Sequence, residues 1–257
     1  MKTWMAVMAC CGLALFGCKD SAIDPVTGKA VLRIYLTDAV AQYDAVNVTF
    51  TEVSAHIDSA WVALNNQTQT VNLLDWNNGQ TLILGQAEVQ AGKYTQIRLK
   101  ISDANVVWNG QTYPMTVPSG AQSGLKLLTN FDIVAGSTYD VVLDFDAERS
   151  VVTTGPRNNP NGFKLKPTIR AVAVALTGSI SGTVLNPINL PVAYAIANND
   201  TVTSSSVDAT TGFFRLAFLP PQSYTVIVSD TTGKSFARGG VTVVAGQEFE
   251  VGEARLR

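Results

Sequence analysis

The residues best suited to chemistry are carboxylates along one extended segment. In "TYDVVLDFDAERS", Asp140, Asp144 and Asp146 share one side of a strand by parity, with Tyr139, Val141, Leu143 and Phe145 on the other. Acids on one face repel unless something positive offsets them. Calcium, with roughly six to eight oxygen ligands, would suit such a set at the rim of a β-sandwich. The competing expectation is ion pairing with Arg149, Lys164, Lys166 or Arg170, because no D-x-D-x-D-G loop accompanies the acids. Paired carboxylates also serve glycoside hydrolysis, but only at a set separation across a cleft, which spacing along a strand does not supply. A second group, Trp61, Trp76, Trp108 and Tyr113, would form a sugar-stacking platform if exposed together, or anchor core and rim if not. The single histidine, His56 in "VSAHID", shares a polar face with Ser54 and Asp58, opposite Val53, Ala55 and Ile57. Neighbours in a row on one strand do not set a base against a nucleophile, so a surface histidine is expected rather than a triad.

Two further motifs lie in "VPSGAQSGLK". Ser123 and Lys126 satisfy the serine-x-x-lysine pattern of penicillin-recognising enzymes, which need that serine at the start of a helix and further motifs that are absent here. Gly120 and Gly124 could let backbone amides approach a ligand, but the strand-to-helix setting of a phosphate loop is missing. A tight polar loop is the expectation.

The elements that must position these residues read as strands. In "VLRIYLTDA", Leu32, Ile34 and Leu36 alternate with Arg33, Tyr35 and Thr37, and in "DAVNVTFTEV" Val46, Val48 and Phe50 alternate with Asn47, Thr49 and Thr51. "YTQIRLKI" sets Thr95, Ile97, Leu99 and Ile101 against Tyr94, Gln96, Arg98 and Lys100. Gly, Asn and Pro punctuate these runs, and no window sustains a helical period. A turn followed by an aromatic residue and a strand recurs at "VQAGKYTQIRL", "IVAGSTYDVVL", "LPPQSYTVIV" and "VVAGQEFEV", a repeated corner of β-sandwich construction.

The chain has 257 residues, 46% hydrophobic and 15% charged, with a formal charge of -2. That is enough for two domains, and without a basic stretch there is no footprint for nucleic acid. The opening "MKTWMAVMACCGLALFGC" places a lysine before 13 apolar or small residues, Trp4 to Phe16, and then Gly17 and Cys18. This reads as a secretory signal, too short to span a bilayer. Its "LFGC" ending resembles the bacterial lipobox, which implies acylation of Cys18 as the first mature residue. Cys10 and Cys11 would then leave with the leader, ending any disulfide or zinc-thiolate chemistry.

From Gly178 onward, "GSISGTVLN", "DATTGFFRLAFLPPQSYTVIVS" and "GVTVVAGQEFEVGEARL" resemble the carboxypeptidase-regulatory-like domain, a transthyretin-like β-sandwich, with Gln222 where that family usually has Gly. Before it, "LTDAVAQYDAVNVTFTEV", "LLDWNNGQ", "AGKYTQIRLKI", "YPMTVPSGAQSGLKL" and "VVLDFDAERSVV" resemble a bacterial lipoprotein family known as domain of unknown function 4382. The resemblance implies an all-β chain of two antiparallel sandwiches, Ig-like or transthyretin-like, behind a lipoprotein signal: leader 1–17, lipidated tether 18–28, first domain 29–176, second domain 177–257. The role expected is non-catalytic, binding or structural, at the cell envelope. The anchor would sit in the outer membrane, on its periplasmic face or at the cell surface, and the partner would be a glycan or an envelope protein. Calcium is the one cofactor left open. A hydrolase acting on polysaccharide or ester, and a calcium-stabilised adhesion component, are the alternatives.

Overall fold

Alternating apolar and polar residues become strands along nearly the whole of the computed structural model, which describes residues 28–155 and 161–257. The leader, Cys18 and the tether to residue 27 lie outside those residues, as do residues 156–160. The protein is all-β. Its first unit runs β1 (Lys29–Asp38), β2 (Ala45–Ile57), β3 (Ala60–Asn65), β4 (Gln69–Asn72), β5 (Leu82–Gln90), β6 (Gly92–Trp108) and β7 (Gln111–Thr116). It continues through α1 (Ser119–Gly124), β8 (Leu125–Ile133), β9 (Thr138–Phe145), α2 (Ala147–Ser150), β10 (Val151–Thr154), β11 (Gly162–Leu165) and β12 (Ile169–Ala173). The second unit holds β13 (Gly178–Val184), β14 (Val192–Ala197), β15 (Asp200–Ser206), β16 (Phe213–Leu219), β17 (Ser223–Ser229), β18 (Ser235–Thr242) and β19 (Glu248–Ala254).

A four-stranded sheet, β12-β9-β1-β5, faces an eight-stranded sheet, β10-β11-β7-β6-β2-β3 with β4 and β8 added beside β2 and β6. One core lies between them. Leu32, Ile34 and Leu36 of β1 meet Val46, Val48 and Phe50 of β2 and Ile97, Leu99 and Ile101 of β6, each at most 1% exposed. Burying such a side chain contributes roughly 1.5–3 kcal/mol, so the period-2 pattern dictates which face turns inward. The second unit packs β16-β13-β19 against β15-β14-β17-β18 around a separate core that includes Ile180, Phe214, Leu216, Val226 and Val228. Pairing is mostly antiparallel, but β1 with β9, β7 with β11 and β13 with β19 run parallel.

Two details depart from the simple alternation. Tyr94, expected to face outward, is fully buried, because a register shift between Tyr94 and Gln96 inserts an extra residue and reverses the facing of everything before it. Thr95 is thereby turned out of the core. The stretch expected as a polar loop forms the one-and-a-half-turn helix α1, whose Ala121 is 3% exposed. Six residues are too few to leave a helical period in the sequence.

The repeated corners have a shared construction. The Tyr94 hydroxyl donates to the Gln90 carbonyl at 2.9 Å and the Tyr224 hydroxyl to the Pro220 carbonyl at 2.9 Å, each four residues back. A buried ring with its polar tip tied to the preceding turn fixes where the next strand begins. Gln222 adds a hydrogen bond of its own, donating from Nε2 to the Tyr224 hydroxyl at 2.9 Å.

Candidate functional site

The three acids singled out by parity do not converge. Asp140 takes a two-pronged bond from Arg33 on the neighbouring strand β1, Nε to Oδ1 and Nη2 to Oδ2, both 2.7 Å. Asp146 leaves the strand and caps α2, its Oδ1 accepting from the Arg149 amide at 2.9 Å. Asp144 is 5% exposed and accepts from Arg170 Nη2 at 2.5 Å. Burial pushes the Asp144 carboxyl above its ordinary range, against the pull of Arg170. Asp144, Asp146 and Asp200 line a cleft of about 270 Å³, but so do Arg149 and Arg170. Positive charge in that cleft is already supplied by side chains. Among the described residues, no three His, Cys, Asp or Glu side chains gather as a metal site.

This cleft belongs to a polar seam between the two units. Arg170 also donates from Nη1 to the carbonyl of Phe218 at 2.7 Å, and Phe218 is a bulky residue held at φ 55°, in the left-handed region. Arg149 reaches Asp200 at 2.7 Å, and the Val40 amide donates to Ser204 Oγ at 3.1 Å. Asn78 Oδ1 accepts from the Arg215 amide at 2.6 Å and from Ser205 Oγ at 3.1 Å, while Asn77 Oδ1 accepts from Ser206 Oγ at 2.7 Å. Below the seam, Asp38 accepts the Ala147 amide at 2.9 Å through Oδ1, and its buried Oδ2 has no hydrogen-bond partner. Burial drives the Asp38 carboxyl well above its ordinary range.

A second cluster stands on the outer face of the eight-stranded sheet and was not foreseen. Antiparallel register places Trp61 opposite His56, Ser54 opposite Arg98, Arg98 opposite Lys126, and Glu52 opposite Lys100. Arg98 donates from Nε to Ser54 Oγ at 3.1 Å and from Nη2 to Glu52 Oε1 at 2.6 Å, and Lys100 reaches Glu52 Oε2 at 2.6 Å. Lys100, then Arg98 and Ser54, hold the Glu52 carboxyl down at about 2. The guanidinium lies 4.2 Å from the centre of the Trp61 ring, with the Lys126 ammonium at 5.8 Å. Gly124 makes room for this arrangement: a Cβ there would lie 2.5 Å from Arg98 Cδ.

Within that cluster His56 Nδ1 lies 2.9 Å from Thr95 Oγ1, and its ring is 5.0 Å from Trp61. Ser54, expected beside it on a polar surface, is 1% exposed and bonded to Glu52 and Arg98. Ser123 donates to the Gly120 carbonyl at 3.3 Å, at the far end of α1 from where a catalytic serine would sit.

The aromatic residues are dispersed. Trp61 pairs with the His56 end of β2, whereas Trp108 continues β6 one step past the residue opposite Ala45. Twelve residues of strand at about 3.3 Å each put about 40 Å between those levels. Trp108 and Tyr113 form a separate group with Phe163, with centroids 5.1–6.5 Å apart. Trp76 is at neither place: its carbonyl accepts from Thr37 beside the seam.

Two segments of the chain match known families. Residues 29–167 match the model of the Domain of unknown function (DUF4382). The chain belongs to this family. Residues 179–257 match the Carboxypeptidase regulatory-like domain, in the order the sequence led one to expect. No curated protein matches the chain. Among solved structures, the chain is similar to the Bacillus anthracis TIE protein at 12% identity and a TM-score of 0.24, covering 90% of this chain and 51% of that one. It is similar to BcpA, the major pilin subunit of Bacillus cereus, at 11% identity and TM-score 0.21, covering 89% and 71%. A fimbrial protein from Bacteroides ovatus gives 11% identity and TM-score 0.24, covering 90% and 50%. The chain thus spans about half the length of the first and third of these. Likeness at that level says nothing of activity.

Proposed function

We propose that this is an exported, lipid-anchored cell-envelope protein whose role is binding or structural rather than catalytic, with a glycan or a protein as partner. The leader 1–17 and acylation of Cys18 would place the two sandwich domains, 29–176 and 177–257, on an envelope membrane. The observation that carries the binding role is the group of Arg98, Trp61 and Lys126. The Arg98 guanidinium is held by Ser54 and Glu52 over the Trp61 ring, with the exposed Lys126 beside it, and a group ordered before its ligand arrives loses little freedom on binding. Charge on the outer face of a sheet suits an extended partner, whereas a reaction needs a concave site that excludes water.

The anchor is tested by growth with globomycin and by Cys18→Ala. Either should leave the leader attached and raise the apparent mass, and Cys18→Ala should in addition abolish incorporation of labelled palmitate; unchanged size with no label in the unaltered chain would remove the lipid from the account. The binding role is tested by screening the detergent-extracted chain on a broad glycan array and against envelope extracts. Binding that survives loss of the Arg98 and Lys126 charges would move the contact to another surface.

A further inference from the structure

We infer that the outer face of the eight-stranded sheet takes an acidic saccharide, with the acid group held between Arg98 and Lys126 beside Trp61. This rests on the glycan-binding reading above and names the ligand class of that face. Arg98 and Lys126 stand directly opposite each other on adjacent strands, an arrangement in which like charges oppose folding. The carboxylate registered among them, Glu52, is shared between Arg98 and Lys100. Three cations therefore face one anion. Among the described residues no carboxylate lies within ion-pair distance of Lys126, whose ammonium stands 5.8 Å from the centre of the Trp61 ring.

Arg98 is set for a ligand oxygen. Its bonds to Ser54 and Glu52 leave from Nε and Nη2, so Nη1 remains to be offered. Its stem is fixed against Gly124, which at φ 128° also keeps a backbone conformation that residues with a Cβ rarely adopt. A planar guanidinium and a mobile ammonium on either side of one acid group is a pairing suited to carboxylate or sulfate. Trp61 supplies an apolar ring edge for the sugar next to that group.

The test uses the full chain extracted in detergent, titrated calorimetrically with oligogalacturonate, its methyl ester and a sulfated galactan oligomer. Binding of either acidic oligomer, with the neutral ester at least ten-fold weaker and affinity falling as salt rises, is the expected result; the oligomer that binds identifies the acid. Lys126→Gln should weaken binding about ten-fold, and Lys126→Glu should abolish it. Because Lys126 is exposed and opposes a like charge, neither change should lower the thermal midpoint. If the ester binds as well as the acid and Lys126→Gln has no effect, the glycan reading stands and this inference is overturned. If no saccharide binds, both are overturned.

Discussion

Replacing Arg170 by Met removes the cation from a nearly dry ion pair and cuts one tie between the two sandwiches. The Asp144 side chain is 6% exposed and that of Arg170 25%, and Asp144 Oδ1 already lacks a hydrogen-bond partner. Stranding a buried carboxylate costs about 3–5 kcal/mol. The Phe218 carbonyl loses a charged donor at the same time, worth about 1.5–3 kcal/mol in isolation, but one side chain supplies both bonds and the terms do not add. A loss of about 4 kcal/mol at pH 7.5 is expected, or about 8–16 °C at about 2–4 °C per kcal/mol for a chain of this size. Urea titration followed by tryptophan fluorescence reads this directly, since Trp61, Trp76 and Trp108 all lie in the unit that contains Asp144. The defect should shrink at pH 5, where an unpaired Asp144 can shed its charge by protonation. The double change Asp144→Leu with Arg170→Met should recover most of the loss, because it leaves no buried charge behind. A single variant within about 1 kcal/mol of wild type, or a double variant no better than the single, would refute the reasoning.

Other consequences follow from the same contacts. Calcium addition or chelation should leave the thermal midpoint unchanged, since Asp140, Asp144 and Asp146 are each offset by an arginine; a chelator-induced fall would show a cation the ion pairs do not account for. Tyr94→Phe and Tyr224→Phe should each cost about 1 kcal/mol through the lost corner bond. Fluorescence should register the first directly, whereas the second, in a unit whose described residues include no tryptophan, should need circular dichroism or calorimetry. Asp38 has a raised folded-state value, so its stabilising contribution is complete below the ordinary 3.8 and is lost as pH rises through that raised value. Asp38→Asn should therefore stabilise by on the order of 1–2 kcal/mol at pH 7.5 and by nothing near pH 4. Denaturation midpoints across that range would show an even offset instead if burial of the charge were not the cause.

What could be read from the chain, and what could not, divides along a physical line. Burial of Leu32, Ile34, Leu36, Val46, Val48 and Phe50 follows from alternation alone, because a strand has two faces and water decides between them. Tyr94 escapes that rule because a bulge is a property of two paired strands, and neither sequence contains it. The ion pairs depend still more on pairing. Asp146 with Arg149 is three residues apart and was within reach of the sequence, as was Asp144 with Arg170. Asp140 with Arg33 spans 107 residues and exists because β1 and β9 run parallel, in a register that sets Arg33 beside Asp140.

The outer-face cluster is the extreme case. Its members come from β2, β3, β6 and β8 and from the end of α1, and in the sequence Trp61, His56 and Lys126 belong to three separate motifs that nothing along the chain joins. Glu52, Ser54, Arg98 and Lys100 carry little signal one by one. Pairing turns them into a fixed array, and the same register that joins Glu52 to Lys100 sets Arg98 against Lys126. A sheet that needed only to stay folded would gain by replacing Lys126 with a carboxylate, which would relieve the repulsion and pair with Arg98 across the strands. The surplus charge opposes folding locally, and an anion from outside the chain would offset it.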